Sequence, residues 1–171
     1  MKQVVLKAYA RGIPQPEDYA VVEAPIPEPG EGELLLKTLW LACDPLIRFA
    51  IDEELVTGVL QIRPGEPMYG PAVSQVVRSN HPDYAPGDVV EHRTHWAEYT
   101  LSAPDKADYR GPPRKLDPSL APVQTSLGAL GMPGQTAHVG MIATGRVAAG
   151  ETVVISAAAG TVGSLAGQIG K

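Results

Sequence analysis

The chain has 171 residues, with fourteen Lys and Arg against nineteen Asp and Glu and a formal net charge of −5. That length supplies a core for one domain and a fraction of another, and the acidity argues against a nucleic-acid partner, which would need a basic surface for its affinity. No apolar run approaches the roughly 18 residues of a membrane span, the N-terminus has no signal-peptide core, and the one cysteine, Cys43, excludes an intrachain disulfide and fits a reducing cytoplasm.

Seventeen prolines, spread along the chain, predict short strands joined by irregular turns. Residues 3–8 and 19–23 read as strands on either side of Gly12-Ile13-Pro14-Gln15-Pro16. After the breaker cluster from Pro25 to Gly32, residues 33–42 form an apolar run that predicts a buried strand. Residues 44–57 hold a helical turn carrying Leu46, Ile47 and Ile51. Residues 72–79 alternate as a strand apolar mainly on one face, and residues 88–91 open the next. In 96–102, Ala97, Tyr99 and Leu101 alternate with Glu98, Thr100 and Ser102, which predicts a half-buried strand. Arg110, Arg114 and Lys115 beside Pro112 and Pro113 read as a solvent loop, and Asp52-Glu53-Glu54 as a solvated face. The pattern is that of a β-barrel or sandwich.

After Pro122 the character changes. Residues 124–129 and 134–142 read as short helices, with Pro133 at a helix start, where its missing N–H costs nothing. Residues 152–156 are an apolar strand, and beyond them Val162, Leu165, Ala166 and Ile169 share one helical face. The chain thus divides into residues 1–122 and 123–171. Between that strand and helix the first glycine of the usual G-x-G-x-x-G is replaced, leaving Ala157-x-x-Gly160-x-x-Gly163. Gly160 lets the backbone approach a pyrophosphate, Gly163 lets helix and strand pack closely, and Ser164 offers a hydroxyl to a phosphate. A ligand-free turn of small residues has the same local pattern, so the surroundings decide.

Those surroundings are Leu130-Gly131-Met132-Pro133-Gly134-Gln135-Thr136-Ala137, the stretch from Gly150 to Ser164, and Gly167-Gln168-Ile169. Together with Ala42-Cys43-Asp44-Pro45-Leu46-Ile47-Arg48, Ser79-Asn80-His81-Pro82-Asp83-Tyr84, Pro86-Gly87-Asp88-Val89-Val90 and His95-Trp96-Ala97-Glu98-Tyr99, they resemble the medium-chain dehydrogenase/reductase superfamily. Within it they resemble the zinc-independent branch of prostaglandin reductase, leukotriene B4 12-hydroxydehydrogenase and plant double-bond reductases. The resemblance implies a mainly β GroES-like barrel followed by the first strand and helix of an α/β Rossmann domain, incomplete here, that binds NADP(H). It implies hydride transfer to the β-carbon of an α,β-unsaturated ketone or aldehyde, without a metal and with a developing enolate to stabilise. The family's frequent dimers imply a homodimer.

The residues that match the branch's cofactor segments are Pro45, Met132, Thr136, Gly160, Thr161, Val162, Gly163 and Ser164. Leu46, where the branch usually has tyrosine, and Arg48 fall in the implied substrate pocket. The catalytic residue and the readers of the 2′-phosphate are expected beyond Lys171, so this chain alone is expected to be an incomplete portion with little or no activity.

Other readings stay open beside that one. Cys43 sits where zinc-dependent relatives place a metal ligand, but the chain has Gly70-Pro71-Ala72 in place of their G-H-E motif, and a small thiol without a metal is the simpler reading. His92 and His95 read as surface or hydrogen-bonding groups, His81 as a turn residue, and His138 as a packing residue. Asp44 and Arg48, four apart, are expected to pair. At the level of function, the alternatives are a non-catalytic GroES-like binding or oligomerisation module and a quinone oxidoreductase of the same superfamily.

Overall fold

Short β-rich runs between proline and glycine turns build the first half of the chain. The computed structural model describes residues 1–54, 61–106 and 111–171, and the chain divides into a unit Met1–Asp117 and a unit Pro118–Lys171. In the first unit, β1 (Lys2–Leu6) and β2 (Tyr19–Glu23) form an antiparallel hairpin, with Lys2 opposite Glu23 and Leu6 opposite Tyr19. The remaining strands are β3 (Leu34–Leu41), β4 (Tyr69–Ser79), β5 (Val89–His95), β6 (Tyr99–Ser102) and β7 (Arg114–Leu116). They make one antiparallel sheet in the order β6-β3-β4-β5-β7. Backbone bonds from Val4 N–H to the Trp96 carbonyl (2.8 Å) and from Met68 N–H to the Val4 carbonyl (2.8 Å) stitch the hairpin to this sheet.

Two apolar clusters hold the unit together. Leu34 and Leu36 of β3 bury against Val76 and Val90, with the Tyr84 ring packed on them. Leu6, Ala10, Ile51, Ile62 and Met68 form the other cluster with Ile47 and Ala50 of the one-turn helix α1 (Leu46–Ala50). Burying seven such side chains contributes about 1.5–3 kcal/mol for each of the larger ones.

In this unit the expected strands form, and four other expectations are corrected. β3 is buried only in its first half: Leu39, Trp40 and Leu41 are exposed, beyond a register shift between Thr38 and Trp40 that turns the strand. The alternation expected across 96–102 is interrupted, because bends flank a lone bridge from Ala97 to Gln3. As a result Thr100 is buried and Leu101 is exposed, the reverse of the expectation. Arg114 and Lys115 lie in β7 and not in a solvent loop, paired with Glu91 and Asp88 of the neighbouring segment; three residues with two charges carry no apolar signal. Asp52 is not simply solvated, since Arg48 grips it at 2.8 Å. The last residues of the expected helical stretch, 55–57, and Arg110 lie outside the described residues.

In the second unit, α2 (Met132–His138) runs into a π-helical turn, Val139–Thr144, and α3 (Thr161–Ile169) packs on them. Ala137, Met141 and Ala166 are its core, with Val147, Ile155 and Leu165 at the edges. The helix expected over 124–129 is a 3₁₀ turn, Val123–Leu127, cut short at Gly128. The strand expected over 152–156 does not form: residues 151–155 have no strand pairing, and 156–159 are turn. A parallel strand is held by neighbours on both edges, and among the described residues none pairs with it; Val154 is 92% exposed, and only Ile155 reaches the core. The opening of a doubly wound sheet is therefore not visible in this unit.

Candidate functional site

In the first unit the candidate residues sit on the turn that follows β3. Ala42 N–H donates to the Pro71 carbonyl (2.9 Å), ending the strand against β4. The Asp44 side chain then accepts from Leu46 N–H (2.9 Å), and its carbonyl accepts from Ile47 N–H (2.9 Å), which starts α1. Ile47 and Ala50 face the core, while Leu46 and Phe49, three apart, leave α1 on its outer side with about half of each exposed. Pro45 and Cys43 are exposed as well.

The expected Asp44–Arg48 pair does not form. Asp44 turns back to cap the helix start, and its second oxygen faces the Arg93 guanidinium on β5 at 3.5 Å. Arg48 instead holds Asp52 at 2.8 Å and donates to the Gly12 carbonyl at 2.8 Å, tying α1 to the 10–14 loop. Arg93 is the residue that sequence reading missed, because its partner lies 49 positions away in the chain and no local spacing marks it. Gly70 is a second. A Cβ there would lie 3.0 Å from Ile47 Cδ1 and 3.1 Å from Trp96 Nε1, so any side chain would have to push both aside where β4 passes α1.

Each histidine has a separate environment. His92 Nε2 lies 2.8 Å from the Ser74 hydroxyl, and burial pushes its pKa down to about 4, so the ring is neutral near pH 7. His95 stacks edge-on against Tyr69, and His81 bridges to Asp105 at 3.2 Å. His138 ends α2 exposed and is not the packing residue expected of it. Among the described residues no group of three His, Cys, Asp or Glu side chains could hold a metal ion. A groove of about 520 Å³, walled by Lys7, Tyr9, Arg11, Asp18, Glu53 and Pro64, also lies in this unit and includes none of the candidate residues.

In the second unit, glycine chemistry shapes both candidate segments. A Cβ on Gly131 would fall 1.7 Å from the Ser126 carbonyl oxygen, and one on Gly134 1.8 Å from that of Ala129. The chain can fold onto itself here only because both positions are glycine. Met132 and Pro133 fill the first turn of α2, and the Thr136 hydroxyl donates to the Met132 carbonyl at 2.8 Å. The turn before α3 is equally tight. Gly160 N–H donates to the Ala157 carbonyl (2.9 Å), and a Cβ on Gly163 would lie 2.3 Å from that same oxygen. Ala157 has φ +49°, the left-handed region that a non-glycine residue enters at a cost. Gly160 is the N-cap of α3, so the amides of Thr161, Val162 and Gly163 have no intrahelical acceptor and form a donor cluster. Ser164 turns its hydroxyl back to the Thr161 carbonyl at 3.1 Å.

Comparison with known proteins follows this geometry. Residues 2–109 match the family model described as the N-terminal domain of oxidoreductase. The chain is 42% identical over 168 residues to an NADPH-dependent curcumin reductase of Escherichia coli, covering 98% of this chain and 46% of that protein. It is 35% identical over 174 residues to a 2-alkenal reductase (NADP(+)-dependent) of Nicotiana tabacum, covering 99% and 49%. The crystal structure of CurA in complex with NADPH from Vibrio vulnificus superimposes with a TM-score of 0.87 at 34% identity, covering 99% of this chain and 48% of that one. The chain spans about half the length of the curated relatives it matches.

Proposed function

Because the chain belongs to the zinc-independent medium-chain dehydrogenase/reductase family of NADP-dependent oxidoreductases, we propose that it serves NADPH-dependent reduction of the C=C bond of α,β-unsaturated ketones and aldehydes. The unit Met1–Asp117 is then a GroES-like substrate domain, and the unit Pro118–Lys171 the opening of a Rossmann domain. The observation that carries this reading is the glycine turn. The amides of Thr161, Val162 and Gly163 offer donors to a pyrophosphate at the positive end of α3, and Gly163 admits no side chain beside Ala157. These residues fit NADP(H), and they have the chemistry of a phosphate cradle. The names of two relatives support the substrate class: one is an NADPH-dependent curcumin reductase, the other a reductase of 2-alkenals.

When bound, NADPH supplies the hydride, and the residues of this chain bind and orient. Gly160 to Ser164 would hold the pyrophosphate, and Met132 and Thr136 match the segment that would lie toward the nicotinamide; Pro45 is the first unit's match to a cofactor segment. Leu46 gives the substrate an aliphatic wall in place of an aromatic one. Arg48, held by Asp52 and the Gly12 carbonyl, positions the Leu46 turn and belongs to the same substrate pocket. The homodimer and the cytoplasmic location belong to the same proposal; among the described residues no helix is long and apolar enough to cross a membrane.

Product analysis tests the reading. The chain, alone and joined to the remainder of a relative's nucleotide domain, is incubated with NADPH and an α,β-unsaturated ketone. The saturated ketone with its carbonyl intact is the expected product. An allylic alcohol, or activity only on quinones, contradicts it.

A further inference from the structure

The inward face of the five-stranded sheet changes from apolar to polar along its length. Leu36 opposes Val76 on β4 and Thr100 on β6, Thr38 opposes Ser74, and Ser74 opposes Val90 on β5. Paired residues share a face, as do residues two apart on one strand. The core residues Leu34, Leu36, Val76 and Val90 therefore adjoin Thr38, Ser74, His92 and Thr100 on one surface. Ser74 is fully buried and Thr100 is 6% exposed. The Ser74 hydroxyl has a partner in His92 Nε2 at 2.8 Å. The hydroxyls of Thr38 and Thr100 are shut off from solvent and have no hydrogen-bond partner among the described residues.

Each such hydroxyl carries the full cost of desolvation without compensation. Thr38 lies two residues along β3 from Leu36, the partner of Thr100, so the two stand diagonally on neighbouring strands, roughly 7–8 Å apart and too far for short side chains to bond directly. A neutral imidazole and a serine hydroxyl stand on the same face, and together they offer both donors and acceptors. Buried water occupies sites with two to four polar partners, and this patch supplies that number.

We propose that the polar end of this sheet face binds ordered water that bridges the hydroxyls of Thr38 and Thr100 and joins them to the Ser74–His92 pair. The water completes the hydrogen bonding of the interior and lets the first unit keep a neutral histidine beside its apolar core. The proposal is independent of the cofactor reading, since all four residues lie in Met1–Asp117 and its tests need no catalysis.

The test uses the full chain. A crystal structure that resolves solvent is compared with thermal unfolding of Thr38→Val, Thr100→Val and the double variant. Ordered water within hydrogen-bonding distance of both hydroxyls is expected. Each single variant strands the partners of the shared water and lowers Tm by about 2–4 °C. The double variant loses less than the sum of the two, because the coupled site disappears as a whole. Thr100→Ser keeps the hydroxyl and should stay close to the parent. Single variants that leave Tm unchanged or raise it show a dry face and overturn the proposal. So does strict additivity of either sign, or clear density without water at Thr38 and Thr100.

Discussion

At the scale of single residues, backbone conformation and burial make the sharpest demands. Ala157 occupies φ +49° in the turn that leads into Gly160. Ala157→Gly removes the Cβ penalty of the left-handed region, partly offset by the freer unfolded chain. It should stabilise the second unit by up to about 1 kcal/mol, measured by urea unfolding. A loss of stability would mean that the turn does not hold this conformation in solution. His92 sets a pH dependence whose sign follows from linkage. Its pKa is about 4 in the folded chain, below the ordinary 6.5, so the unfolded chain binds the extra proton between those values. Stability from this group is complete above pH 6.5 and is lost as pH falls toward 4. The partly buried ring sets an upper bound of about 3 kcal/mol. His92→Gln should flatten the slope of stability against pH across that window, and an unchanged slope would place its origin elsewhere.

At the scale of elements, what could be read from sequence depended on whether an element makes its own case. β1 to β5 were legible because each opens on an alternating or apolar run between turn residues, as Leu34 to Leu36 do before burying, whereas β6 was placed but its burial was read on the wrong face. β7 was not, because its three residues are placed by pairing with β5 and by the charges of Glu91 and Asp88. The candidate site divides the same way. The glycine turn and the Asp44–Pro45–Leu46 stretch announce themselves locally, whereas Arg93 and Gly70 matter only through neighbours brought from other strands. Gly70→Ala tests that distinction. Its Cβ must push Ile47 and Trp96 by a few tenths of an ångström, so about 1–3 kcal/mol of stability should be lost. Leu46 amide exchange should rise with it, because Ile47 anchors α1. The segment 151–155 was legible as an apolar strand, and its apolarity is real, but a strand is a relation between two chains of atoms. Without a neighbour among the described residues, its amides at Val153 and Val154 should exchange within the fast, unprotected class. Protection equal to that of β4 would show that a partner strand has been overlooked.

At the scale of the whole molecule, a mainly β unit with its own two cores is followed along the chain by a small helical unit built on Ala137, Met141 and Ala166. The first pairs its strands in a hairpin and a five-stranded sheet, while the second carries the glycine turn proposed for the nucleotide next to an apolar segment with exposed Val153 and Val154. That contrast is the reason for expecting the 171 residues to recognise NADPH through the turn but to hold it weakly. The most direct measurement is a fluorescence titration of this chain with NADPH, run beside a Gly163→Val variant whose side chain has no room against Ala157, with an enone added at the end. Weak binding by the parent, none by the variant and little turnover are the expected results. Equal binding by both chains would contradict the glycine turn as the cofactor site, and tight binding with rapid turnover would contradict the claim that the apolar segment needs sheet neighbours.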